Sequence, residues 1–204
     1  MKTLFISNSF WNLYNFRQNL INKFSQYDEI HVLSNNDNFK KKFKKKNIKT
    51  FKTFIKKNNL SLINDLKYLN FLIKHVKKYK IKCIVSFTIK PNFISLIISK
   101  IFSIPVILTI SGLGTLFLRY KILFYFYLFL LNFFINKRVV IFFHNKHDLL
   151  IFKKKKLLNK SLFYKVVSGS GIDFKKFKYS KKNFKKNTFI FIGRLIKDKG
   201  VEEL

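Results

Sequence analysis

The feature that most constrains this chain is an alternation. Short apolar runs closed by polar or glycine-containing turns are separated by longer stretches with helical spacing. The runs lie at residues 2–6, 29–34, 83–87, 105–110, 138–143 and 162–167, with a weaker one at 48–54. Each is four to eight residues long and rich in Ile, Val, Leu and Phe, the signature of strands buried on both faces. Between them, Leu62, Leu66, Leu69, Ile73 and Val76 recur at the period of an amphipathic helix across residues 61–79. Strand, crossover helix and strand in succession predict a parallel sheet with right-handed connections. The expected class is therefore α/β, a Rossmann-like doubly wound parallel sheet. Further helices are expected at 15–26 after a polar loop over 7–14, at 92–102 just after Pro91, at 115–136 and at 145–153. Residues 35–47 read as a short solvated helix or loop.

Composition enters next because it offers a tempting shortcut. The 204 residues carry 42 Lys+Arg against 9 Asp+Glu, a formal charge of +33. Such a balance suggests nucleic acid or an anionic surface as a partner. However, only four of the basic residues are Arg (Arg17, Arg119, Arg138 and Arg194), and the chain has no Ala, 6 Gly and 2 Pro. Lys, Asn, Phe and Ile are encoded by AT-rich codons, so an AT-rich genome accounts for the excess Lys. A specific nucleic-acid reader would draw more on arginine's bidentate fork. The sequence therefore predicts no specific nucleic-acid partner, and a basic, non-catalytic protein that binds nucleic acid or anionic membrane is the competing reading. A hydrophobic share of 48% excludes a disordered basic tail, and a single Cys excludes a disulfide framework. Cys83 reads as a small buried hydrophobe, and His31 and His75 as structural or surface residues. The uncharged stretch from Ile122 to Ile135 has 14 residues, too few to span a bilayer. It reads as a buried or membrane-surface helix. No secretory signal is evident.

In a doubly wound sheet, ligands bind beyond the carboxyl ends of the strands. The loops expected there are 7–14, 88–92, 111–115, 144–148 and 168–173. Against a background of Lys, Phe and Ile they hold Gly112, Gly114, Gly169 and Gly171, four of the six glycines. Two readings stay open: glycines that admit a ligand close to the backbone, or glycines that merely end strands. No Gly-x-Gly-x-x-Gly follows the first run, and no phosphate-binding lysine loop is present. His144, His147 and Asp148 cluster, but a metal needs a third ligand and none stands nearby, so no metal is assigned. Arg194 and Lys199 flank a loop between a strand and a helix start. That arrangement suits a diphosphate, though chance surface charge is equally open.

Six stretches taken in order carry a resemblance. They are Trp11-Asn-Leu-Tyr-Asn-Phe-Arg17, Thr88-Ile-Lys-Pro-Asn92, Ile110-Ser-Gly-Leu-Gly114, Phe143-His-Asn-Lys-His-Asp148, Gly169-Ser-Gly-Ile-Asp173 and Phe191-Ile-Gly-Arg-Leu-Ile-Lys-Asp-Lys-Gly200. The chain resembles the N-terminal part of the family-4 glycosyltransferases of the GT-B fold, of the bacterial surface-polysaccharide and lipid-linked glycan type. The resemblance implies acceptor binding by Asn12, Tyr14, Gly112, Gly114 and Asn145. It implies donor diphosphate binding by Arg194 and Lys199, and an interdomain loop at Gly169, Ser170, Gly171 and Asp173. It further implies a retaining transferase that takes a nucleotide-sugar donor and a lipid-linked glycan acceptor at the inner face of the cytoplasmic membrane, with no cofactor and no metal. Many family members carry a His where this chain has Ser111, so no catalytic residue is assigned.

The expected organisation is an acceptor-side domain over 1–173, a Lys-rich linker over 174–187, and the first strand of a nucleotide-sugar-binding domain over 188–204. The glutamate-containing donor motif of the family is not matched. The chain is therefore expected to be inactive alone, or to act with a separately encoded C-terminal domain.

Overall fold

The computed structural model describes residues 1–54, 61–113, 121–161, 163–174, 176–179, 189–193, 195, 197 and 200–203. The chain divides into two units, Met1–Gly171 and Ile172–Leu204.

The first unit is a seven-stranded sheet: β1 (Lys2–Ile6), β2 (Glu29–Asn35), β3 (Ile48–Thr53), β4 (Cys83–Phe87), β5 (Val106–Ile110), β6 (Val139–Phe143) and β7 (Phe163–Val166). The strand order is β3-β2-β1-β4-β5-β6-β7, and every pairing is parallel. The helices are α1 (Phe10–Phe24), α2 (Leu62–Tyr79), α3 (Ile89–Phe102), α4 (Lys121–Phe134) and α5 (Lys146–Lys154), with a 3-10 turn at Asn38–Lys42. All seven strands expected from the apolar runs over residues 2–167 are present. The doubly wound parallel sheet is confirmed.

The period-2 alternation within each strand divides the core. Leu4, Ile6, Leu33, Ile84, Val106, Leu108, Val139 and Ile141 face one side, where they meet buried residues of α2, α3, α4 and α5. Phe5, Ile30, Val32, Val85 and Phe87 face the other, against Phe10, Leu13 and Ile21 of α1. Handedness causes this split. Crossovers running toward β7 place their helices on one face, and the crossover back from β1 to β2 places α1 on the other.

Helix boundaries differ from expectation at two informative places. Helix α1 begins at Phe10, not after residue 14, because the Ser9 side chain accepts the Asn12 N–H and caps the helix. Helix α3 begins at Ile89, so Pro91 lies inside its first turn. Its missing N–H costs nothing there, because the first four amides of a helix have no intrahelical acceptor. In α4 the buried positions Phe124, Leu128 and Leu131 form one stripe, and Ile122, Tyr125, Phe126, Phe129 and Phe133 are exposed on the other. No helix among the described residues is long and apolar enough to cross a membrane.

His31 and His75 are both buried and bonded to each other at 3.0 Å. Cys83 is buried too, and burial followed by Asp28 pushes its thiol up to about 11. The linker and second-domain bounds expected from the sequence fall largely outside the described residues of the second unit. Residues 189–193 form no strand, and Phe189 and Ile192 are 95% and 86% exposed. An apolar run needs a neighbouring strand to complete its hydrogen bonds, and among the described residues none pairs with it. Within this unit the Asp173 carbonyl accepts the amides of Lys176 and Phe177, and Lys197 pairs with Glu202 at 3.0 Å.

Candidate functional site

The sheet has one topological switch point, between β1 and β4. From β1 the chain leaves to α1 on one face; from β4 it leaves to α3 on the other. In doubly wound sheets this divergence marks where ligands bind, beyond the carboxyl ends of the strands. The register pairs Ile6 with Ser86, Phe87 with Thr109 and Ile110 with Phe143. Asn8, Thr88, Ser111 and His144 therefore stand at successive strand ends along the same edge.

The chemistry of this edge is unusual. Arg17 on α1 is only 9% exposed, and its guanidinium carbon lies 4.6 Å from the centroid of the Phe87 ring. It makes no hydrogen bond to any described residue, and its Nε is buried without a partner. Burial lowers its pKa, the direction expected of a cation held out of water. Every carboxylate of the first unit is engaged elsewhere. Asp28 binds the chain amino group and Thr3, Glu29 binds His31 and Lys49, and Asp37 accepts backbone amides of Trp11 and Phe39. Asp65 binds Lys90, and Asp148 binds Asn145. Taking an unpaired charge out of water is costly, and only Nε is fully buried, so the two Nη groups keep the cation in touch with solvent and open to a ligand.

Other polar atoms on the same edge are also unsatisfied. Asn92 is 1% exposed; its Nδ2 donates to the Thr109 carbonyl at 3.0 Å, but its Oδ1 accepts nothing. Thr88 Oγ1, Asn8 Oδ1 and His144 Nε2 are buried without partners among the described residues. Burial, and then the charge of Arg17, lower the pKa of His144, so its ring is neutral at pH 7. Thr88 adopts φ 74°, ψ 153°. A β-branched residue at positive φ is strained by about 1–3 kcal/mol, and such strain gathers at functional sites.

The residues named from the sequence are placed as follows. Asn12 lies in the first turn of α1, where its Oδ1 accepts the Ser7 hydroxyl at 3.1 Å. Tyr14 is on the same helix, packed against Phe39 and Phe43 with Lys42 over its ring. Asn145 caps α5: its Oδ1 accepts the Asp148 amide at 2.7 Å and its Nδ2 donates to the Asp148 carboxylate. Gly112, Gly169 and Gly171 have positive φ (143°, 71° and 76°), and open space surrounds each of them. Ser170 is exposed beside them, and Asp173 belongs to the second unit. Gly114, Arg194 and Lys199 lie outside the described residues. Among the described residues no three His, Cys, Asp or Glu side chains gather as a metal would require. His147, 70% exposed at its side chain, points its Nδ1 toward Asp148 at 3.8 Å.

Arg17, Thr88, Asn92 and His144 received no role from the sequence. One signal was available: Arg17 is one of four arginines in a chain that otherwise uses Lys.

No family model and no curated protein matches the sequence. Solved structures do match. Sucrose-phosphate synthase from Thermosynechococcus elongatus superposes with a TM-score of 0.59 at 10% identity, over 82% of this chain and 47% of that one. A glycosyltransferase from Rickettsia africae ESF-5 gives 0.52 at 11% identity, over 79% and 42%. A UDP-GlcNAc 2-epimerase from Neisseria meningitidis, bound to UDP-GlcNAc, gives 0.56 at 14% identity, over 80% and 45%. The fold is a Rossmann-like domain of the GT-B type. The chain spans less than half the length of each of these three structures.

Proposed function

We propose that this chain is the acceptor-side part of a glycosyltransferase of the family-4 type, which transfers a sugar from a nucleotide-sugar to a lipid-linked or polysaccharide acceptor in surface-glycan synthesis. The observation that carries the reading is the set of polar residues at the strand ends beside the β1/β4 switch point of a GT-B-type domain. Its buried donors and acceptors are unsatisfied, as expected of a surface that binds a hydroxyl-rich ligand. Arg194 and Lys199 would take the diphosphate of the donor. Two cations there stabilise charge that develops on the leaving group, which suits a retaining transferase working without metal.

The donor motif would come from a second domain, encoded separately or further along. A surface for it exists: Ile107, Val140, Phe142 and Phe163 lie on the sheet face that α1 covers only at β1, β2 and β4, and Phe163 is 48% exposed. The inner face of the cytoplasmic membrane would hold the acceptor. In support, the exposed aromatic stripe of α4 is flanked by Lys100, over the Phe133 ring at 3.6 Å, and Lys155, over Tyr125 at 4.8 Å. Such a stripe with basic neighbours suits anionic headgroups.

The test is transfer from a panel of UDP- and GDP-sugars to membrane-extracted lipid-linked acceptor. The chain alone is expected to give no turnover, and the chain supplied with the downstream-encoded domain to give transfer with retained anomeric configuration. Sustained turnover by the chain alone refutes the dependence on a second domain. An absence of transfer in both cases refutes the transferase reading.

A further inference from the structure

We infer that the polar edge between α1 and the carboxyl ends of β4 and β6 is an oxyanion site, in which the Arg17 guanidinium pairs with a phosphate or a sugar carboxylate of the bound ligand. Three observations support this reading, and none of them was used to assign the fold. The first is that a buried guanidinium has no acidic partner, although all five carboxylates of its unit are accounted for. The second is its aromatic backing. Phe87 lies 4.6 Å from the guanidinium carbon, a stacking that orients the planar fork while leaving its N–H groups free to donate. The third is that the neighbouring Thr88 Oγ1 and His144 Nε2 are buried without partners and can each carry a proton to donate, whereas Asn92, whose Nδ2 is taken by the Thr109 carbonyl, offers only an acceptor for a ligand hydroxyl. An oxyanion with several lone pairs matches this set: the fork supplies charge-assisted donors, and hydroxyl or ring N–H groups complete the shell.

Among the described residues of the first unit, no carboxylate supplies the missing charge. Asp148, which lies on the helix that follows His144, is held by Asn145 at 2.8 Å. Asp65, in the first turn of α2, is held by Lys90 of α3 at 2.7 Å. The site therefore stays cationic until a ligand arrives. That the anion belongs to the acceptor rests on the transferase reading; that the site binds an oxyanion does not.

His144 provides a local reporter, which matters in a chain of +33 charge that attracts anions everywhere. The full chain is titrated in chloride buffer while its four His rings are followed by NMR, with and without inorganic phosphate or glucuronate. In the unmodified chain the added anion is expected to offset Arg17 and raise the His144 midpoint. Arg17→Met is expected to weaken that response roughly tenfold or more, as loss of a charge-assisted pair should. In the same chloride buffer without phosphate or glucuronate, the variant is expected to melt at or above the temperature of the unmodified chain, because it removes an unpaired, largely buried charge. A response to phosphate alone identifies a phosphoryl group, and one to glucuronate alone a sugar carboxylate; either supports the site. An absence of response at His144, or an equal response in Arg17→Met, overturns it. Arg17→Lys keeps the charge but loses the fork, and covers the case in which Arg17→Met does not fold. An undiminished response in that variant also overturns the role of the guanidinium. No sugar transfer is needed, so failure here leaves the transferase reading standing, and the reverse holds equally.

Discussion

Acidification should unfold this protein through one buried pair of rings. His31 Nδ1 and His75 Nε2 face each other at 3.0 Å, and His31 Nε2 meets Glu29 at 2.9 Å. Phe51 and Tyr79 enclose both rings, with centroids 4.5–5.1 Å apart. One proton fits between the two facing nitrogens. If both rings are charged, a donor faces a donor. Burial, then His31 and then Lys78, hold His75 down at about 4, against an ordinary value of 6.5. Burial also lowers His31, although Glu29 opposes the shift.

The sign follows from linkage. Between pH 6.5 and 4 the unfolded chain takes up a proton that the folded one refuses. Stability is therefore full above pH 6.5 and falls as the pH drops toward 4. At about 1.4 kcal/mol per unit, His75 alone accounts for a loss of about 3 kcal/mol, a large share of a typical domain's stability. Glu29, held at about 2 by His31 and Lys49, loses its contribution only at lower pH. The assay is urea unfolding by far-UV circular dichroism at fixed salt across pH 7.5 to 4. The unmodified chain is compared with His75→Gln, whose amide can still donate to His31. The general repulsion of a highly cationic chain cancels in the difference, and the variant should lose about 3 kcal/mol less over the range. Equal pH slopes for the two proteins would refute the reasoning.

Three further outcomes are expected. Thr88→Gly should raise stability by about 1 kcal/mol in urea titration, because glycine accepts φ 74° without a Cβ clash. Asn145→Ala should cost about 1 kcal/mol through loss of the α5 cap, read as a lower thermal midpoint. Phe126→Ser with Phe129→Ser, both exposed on α4, should leave the melting temperature unchanged and reduce sedimentation with anionic liposomes, whereas binding to duplex DNA should fall away steeply with salt in all variants.

The sequence by itself determined the sheet. Short runs such as Cys83–Phe87 and Val139–Phe143 have no polar face, so they must be buried between helices, and the helical segments between them force parallel pairing. It also bounded α4: fourteen residues cannot span a bilayer, and the structure turns one stripe of them into core and leaves the other exposed. The caps were less legible. Ser9 looks like any loop serine until its oxygen meets the Asn12 amide, which moves Asn12 and Tyr14 from a loop onto a helix. The apolar run after residue 188 resembles a strand by composition, but a strand exists only with a partner. The charge at the strand ends was legible only as the rarity of Arg17, one of four arginines. Being an arginine does not say where it sits; only the tertiary structure shows that Arg17 is buried, backed by Phe87 and without an acid among the described residues. Burial and pairing depend on residues that are distant along the chain, from Asp28 to Asp148, and no local pattern encodes which cation those few carboxylates leave unpaired.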